Sequence, residues 1–147
     1  MKITANGISM NYTLDGPTGA PVVTLSHSLA TTLAMWEPQV KALTARWRVL
    51  SYDTRGHGGT DAPKSAYSLD QLADDAQALL RALGIQRTHW VGLSMGGMIG
   101  QTLALKAPEL FARPCPVRHV ESHPARGQAP VGRAHPHRGD EGHGTPR

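Results

Sequence analysis

Residues 92–96 read Gly92-Leu93-Ser94-Met95-Gly96. An apolar run, "HWV", leads into them and the helix-like stretch "MGGMIGQTLALKAPEL" leads out. A serine between two glycines, where a strand turns into a helix, is the arrangement of a nucleophile elbow. The reversal is so sharp that the flanking positions, Gly92 and Gly96, must be tiny. It would hold the Ser94 hydroxyl out beside a helix N-terminus, where free N–H groups favour negative charge. The chemistry this suits is attack on a carbonyl carbon. The plainer alternative is a chance five-residue match in which Ser94 only caps a helix. The strand before it and the helix after it favour the elbow.

An oxyanion formed at such a site needs two backbone donors. Met95, directly after the nucleophile, would supply one N–H. The other is expected from Leu29 in "LSHSLA", residues 25–30, which follows the first buried strand; the alternative there is an ordinary strand-end loop. A second loop, "YDTRGHGGTDAP" (residues 52–63), has the Asp, Arg and clustered glycines of a tight structural turn beside the site. His57, between Gly56 and Gly58, could serve as a base, but its glycine neighbours favour a structural role. His27 is expected to belong to the oxyanion loop rather than to act as a base.

These residues need a frame. "KITANGISMNYTLDG" reads as a hairpin turning at Asn6-Gly7. "PVVTLSHS" and "WRVLSYD" are buried strands, and "MWEPQVKALTAR" is helical after Pro38. The clearest helix is "SLDQLADDAQALLRALG". Ser68 and Gln71 form a capping box, Leu69, Leu72, Ala73, Ala76, Leu79, Leu80 and Leu83 share one face, and Gly84 stops it. The strand "RTHWVGLS" and a final helix follow. Alternation of this kind predicts an α/β fold with a parallel sheet covered on both faces.

The chain has 147 residues, enough for one domain. Its net charge is +4, but the Lys and Arg residues before residue 114 are scattered, which argues against nucleic-acid binding. Cys115 is the one cysteine, so no internal disulfide is possible and a reducing compartment fits. The N-terminus has no apolar run suited to a signal peptide, and no later stretch approaches a membrane span. A cytoplasmic location with no membrane association is the expectation.

Composition breaks at residue 113. Residues 114–147 contain Pro, Gly, Arg and His in abundance and no Leu, Ile, Phe, Tyr, Trp or Met. Such a segment is expected to be a disordered tail, because it has too little apolar surface to offset the entropy of ordering. His119, His123, His135, His137, His143 and Asp140 have the residue types of a base and its partner. A Pro/Gly-rich segment cannot hold them at hydrogen-bond distance from a serine. They also show no fixed metal-ligand spacing, so no metal site is expected.

"HSLATTLAMWEPQV", "RVLSYDTRGHGGTDAP", "YSLDQLADDAQALLRALGI" and "HWVGLSMGGMIGQTLALKAPE" together resemble the N-terminal half of an α/β-hydrolase. They are most similar to the 3-oxoadipate enol-lactonases, which open an enol-lactone in the β-ketoadipate pathway of aromatic degradation. The resemblance covers residues 1–113 and implies an α/β-hydrolase fold truncated after the helix that follows the elbow. It implies Ser94 as nucleophile, the N–H groups of Leu29 and Met95 as oxyanion donors, a small lactone or ester substrate, and no cofactor or metal. The family's Asp and His come later in the chain, and neither is identifiable here. On this reading the chain is inactive as it stands.

A one-base shift of reading frame, with G/C wobble bases chosen, turns the tail into a segment opening "LVLCDTSSRI", a buried strand where the resemblance calls for one. The tail is therefore expected to arise from a frameshift near codon 113 or 114. Without that strand the elbow strand has an open edge, and aggregation is expected. Two other functions stay open. One is a different α/β-hydrolase specificity, an esterase or cofactor-free haloperoxidase. The other is a non-catalytic fragment that interacts through its basic, His-rich tail.

Overall fold

The computed structural model describes residues 1–112. Strands β1 (Lys2–Ala5) and β2 (Ile8–Asp15) form the expected hairpin. Asn6 and Gly7 both take positive φ, +49° and +74°, the conformation that lets a two-residue turn follow the natural strand twist. β3 (Val22–Ser26) leads through a 3₁₀ turn at Leu33–Trp36 into α1 (Glu37–Leu43), then β4 (Arg48–Tyr52). The helix includes Pro38 in its first turn, where a missing N–H costs nothing, and it stops short of the expected end. α2 (Leu69–Ala82), β5 (His89–Gly92) and α3 (Met95–Lys106) complete the alternation.

The strands lie in the order β1-β2-β4-β3-β5. β4, β3 and β5 are parallel, whereas β2 runs antiparallel to β4. The expectation of a parallel sheet therefore holds for three strands only. The hairpin at Asn6-Gly7 reverses the chain and lays β2 against β4 in the opposite sense. From β3 the chain moves to β4 on one side, and β5 returns on the other. The C-terminal end of β3 is thus a switch point, where neighbouring loops diverge and leave a crevice.

Side chains alternate across the sheet. Met10, Leu50, Tyr52 and Trp90 face α2 and α3, packing with Leu72, Leu79, Leu80, Ile99 and Leu103. Val23, Leu25 and Val49 face the other way and pack with Trp36, Val40 and Leu43. Ser68 caps α2 by accepting the Gln71 N–H at 3.1 Å, and Gly84 ends it at φ +69°. Among the described residues the return bond of the capping box is not made. Leu69, expected on the buried face, is instead partly exposed.

β5 pairs with β3 along one edge. On its other edge, Thr88 and Phe111 form a parallel bridge: the Thr88 N–H donates to Leu110 O at 2.8 Å, and the Ala112 N–H donates to Thr88 O at 3.0 Å. The expectations for residues 114–147, including the disordered or frameshifted tail, its histidines and Asp140, lie outside the described residues. No helix among the described residues is long and apolar enough to cross a membrane.

Candidate active site

Ser94 joins β5 to α3 at φ +50°, ψ −113°, a conformation costing a non-glycine residue about 1–3 kcal/mol. Close packing around it leaves no alternative. A Cβ at Gly92 would sit 2.3 Å from the Gly96 carbonyl carbon, and one at Gly96 would sit 2.1 Å from the Ser26 carbonyl oxygen. The collisions expected from the motif are therefore backbone collisions, which no side-chain movement relieves. The Leu93 N–H donates to Ser26 O at 3.1 Å and ties the bend to the end of β3. Trp90 Nε1–H donates to Gly96 O at 3.0 Å from below, and its indole occupies the space that a side chain at Gly100 would need.

The Ser94 side chain is exposed and borders a cleft of about 410 Å³. Leu29, Met95, Arg55, His57, Tyr67, Leu69, Leu72 and Met98 also line it. All the expected site residues therefore meet at one place: Ser94, Leu29 and Met95 on the cleft, with Gly92 and Gly96 forming the bend beneath. The Ser94 hydroxyl has no hydrogen-bond partner among the described residues. The N–H groups of Leu29 and Met95 likewise have none there.

Leu29 occupies a tight turn, Ser28–Thr31, closed by the Thr31 N–H donating to Ser28 O at 3.3 Å. Ala30, third in the turn, takes φ +58°, the value a type II turn requires at that position and one usually met by glycine. Two imidazoles fasten this turn to the loop after β4. His27 is fully buried; its Nδ1–H donates to Ser28 O at 2.7 Å, and its Nε2 accepts the Thr54 N–H at 2.9 Å. His57 Nε2 accepts the Ala30 N–H at 3.2 Å. Its Nδ1 lies 3.1 Å from both Arg55 O and Thr54 Oγ1. Each histidine thus receives a backbone N–H from the other's loop. With a backbone N–H donating to each Nε2, the hydrogen-bond pattern of each ring places its hydrogen on Nδ1. Burial holds the His27 imidazole below the ordinary histidine value, against a raising effect of the Ser28 carbonyl.

The sequence placed an Asp and an Arg, Asp53 and Arg55, in the tight loop after β4, but did not show their partners, Asp75 above all. Arg55 and Asp75 form a buried two-point ion pair, Nε to Oδ2 at 2.7 Å and Nη2 to Oδ1 at 2.6 Å. Asn6 Nδ2 also donates to Asp75, at 2.6 Å, which joins α2, the hairpin turn and the loop after β4. The hydrogen bond to Asp75 raises the Arg55 pKa above its ordinary value. The available signal was an aspartate placed between Leu72 and Leu79 on the apolar face of α2. Asp53 Oδ1 accepts the Leu33 N–H at 2.7 Å, and its Oδ2 accepts the Gly59 N–H and Asn11 Nδ2–H. Among the described residues no group of three or more His, Cys, Asp or Glu side chains could hold a metal ion.

Comparison with known proteins matches residues 21–113 to the family model described as the alpha/beta hydrolase fold. The 3-oxoadipate enol-lactonase 2 of Acinetobacter baylyi is 41% identical over 109 residues, covering 74% of this chain and 41% of that protein. The putative carbamate hydrolase RutD of Caulobacter segnis is 44% identical over 97 residues, covering 65% of this chain and 36% of that protein. The crystal structure of the enol-lactonase from Burkholderia xenovorans LB400 superposes with a TM-score of 0.73 at 44% identity, covering 76% of this chain and 44% of that one. The chain spans about two fifths of the length of the curated enol-lactonase relatives it matches.

Proposed function

Because the chain belongs to the alpha/beta hydrolase fold family, we propose that it carries the nucleophile half of a serine hydrolase for carboxylic esters or lactones, similar to the enol-lactonases of aromatic degradation. The observation that carries this reading is the exposed Ser94 hydroxyl, held by a strained bend on a cleft shared with Leu29 and Met95. Ser94 Oγ attacks the substrate carbonyl, and the Leu29 and Met95 N–H groups receive the developing oxyanion. The apolar lining from Leu69, Leu72 and Met98 suits a small organic ester or lactone. The reaction as written calls on no cofactor.

Among the described residues no group is placed to activate Ser94. A base must accept the hydroxyl proton as the new bond forms. Among the described residues no histidine is hydrogen-bonded to Ser94, and His57 has its Nε2 taken by Ala30. On this reading the 147-residue chain reacts slowly, with hydroxide in solution doing what a neighbouring imidazole would otherwise do.

A serine-directed fluorophosphonate tests the proposal. Labelling of the full chain should map to Ser94 by peptide mass spectrometry and vanish in Ser94→Ala. Its rate should climb about tenfold per pH unit from pH 6 to 9, as expected when only the alkoxide reacts. A label on another residue would overturn the nucleophile assignment. A rate that levels off near pH 7 would show a resident base. The carbamate reading rests on the comparable RutD similarity. A protein with the reading frame restored after codon 113, assayed on an enol-lactone, an aryl ester and a carbamate, separates these substrate classes.

A further inference from the structure

We propose that His57 is a positioning residue for the oxyanion turn: by accepting the Ala30 N–H it fixes the turn so that the Leu29 N–H stays free to receive an anion. This rests on the serine-hydrolase reading above. The turn has reason to relax. Ala30 sits at φ +58° without being glycine, and the Leu29 side chain beside it is 65% exposed, so packing does little to hold either residue. Within the turn, Thr31 returns two bonds to Ser28 O, from its N–H at 3.3 Å and its Oγ1–H at 2.8 Å. These bonds, with the one from His27 Nδ1–H to the same oxygen, hold the planar Ser28–Leu29 peptide, but none of them holds the central Leu29–Ala30 peptide, whose rotation would carry the Ala30 N–H with it. Among the described residues, the hydrogen bond from Ala30 to His57 Nε2 is the one contact from outside the turn that takes a central N–H.

The acceptor is itself well supported. His57 Nδ1–H is held by Arg55 O and Thr54 Oγ1, and the Thr54 hydroxyl lies 3.2 Å from His27 Nε2. The two rings lie with centroids 5.1 Å apart, and His27 is fully buried. A chain of bonds therefore runs from the core through Thr54 to His57 and on to the turn. His57 also borders the cleft, so it works within reach of the anion while using its lone pair on Ala30 rather than on Ser94.

An arylboronic acid reads the arrangement without requiring turnover. Ser94 Oγ bonds to boron, which goes from trigonal to tetrahedral and takes a negative charge, and the hydroxyl proton passes to water. With phenylboronic acid and the full chain, His57→Leu should weaken binding by about tenfold or more, a fraction of the loss that follows complete removal of an oxyanion donor. His57→Gln places an amide oxygen where Nε2 stood and should restore affinity to within about threefold. In the unsubstituted chain, long-range ¹H–¹⁵N NMR should find the His57 proton on Nδ1, with the Ala30 amide shift moving in His57→Leu and recovering in His57→Gln. Equal boronate affinity in both variants, or a His57 proton on Nε2, overturns the proposal. Should boronate bind Ser94→Ala as tightly as the unsubstituted chain, the serine assignment fails, while the NMR result still decides the role of His57.

Discussion

At Ser94 the backbone is bent into a conformation that only its surroundings sustain, and those surroundings are main chain. Gly96→Ala would push a methyl group against the Ser26 carbonyl, 2.1 Å away, where neither partner can rotate aside. The expected outcome is a loss of about 2–4 kcal/mol, at the upper end for overpacking, together with loss of fluorophosphonate labelling. Denaturant midpoints checked against labelling yield would measure both. His27 gives a pH dependence with a definite sign. Burial lowers its folded pKa, so the native state favours the neutral ring. Its contribution is whole above the ordinary histidine value of about 6.5 and is lost as pH falls through the lower folded value. Urea midpoints should therefore fall from pH 7.5 to pH 5. His27→Gln, which can still accept the Thr54 N–H but cannot titrate, should flatten that fall. An unchanged slope in His27→Gln would show that His27 does not set this pH dependence.

At the level of elements, what could be read in advance depended on how local the determinant was. Asn6-Gly7 announces its turn in two residues, and α2 shows its face, cap and stop within one segment. The elbow was legible because its demands, small flanks and a strand-to-helix change, fall within five positions. Arg55–Asp75 was not legible. Its partners lie 20 residues apart, on a loop and a helix that meet only after the sheet has formed. Pattern reading treats a charge on an apolar face as noise until its partner is seen. The hydrogen bond from Ala30 to His57 was hidden for the same reason, since it spans 27 residues and two loops. The ion pair carries a prediction of its own. Asp75→Ala strands a buried guanidinium and should cost about 3–5 kcal/mol. Replacing both partners, Arg55→Met with Asp75→Leu, should cost clearly less than Asp75→Ala alone. Chemical denaturation of the three variants settles the comparison, and a double variant as damaged as the single one would show that something other than the stranded charge sets the cost.

Across the whole molecule, the sheet is well covered where α2 and α3 lie on it and less so around β5. Val91 on β5 is 44% exposed, and Leu105 on α3 is 87% exposed. Among the described residues the outer edge of β5 is paired only through Thr88 and Phe111. An apolar strand with free N–H and C=O groups on one side is a template for another chain. Size-exclusion chromatography with light scattering should therefore find the 147-residue protein associating as concentration rises. A monomer with a sharp two-state melt would contradict this. Sequencing the gene across codons 110–118 tests the frameshift reading.

If Ser94 and the amides of Leu29 and Met95 form one anion-receiving site, an NMR comparison of the free chain with its fluorophosphonate adduct should show it. A phosphonyl group should appear on Ser94, with large downfield shifts of the Leu29 and Met95 amide protons, beyond those of neighbouring amides, as both donate to the phosphonyl oxygen. An adduct on Ser94 that leaves both amides unmoved, or a label carried by another residue, would contradict it.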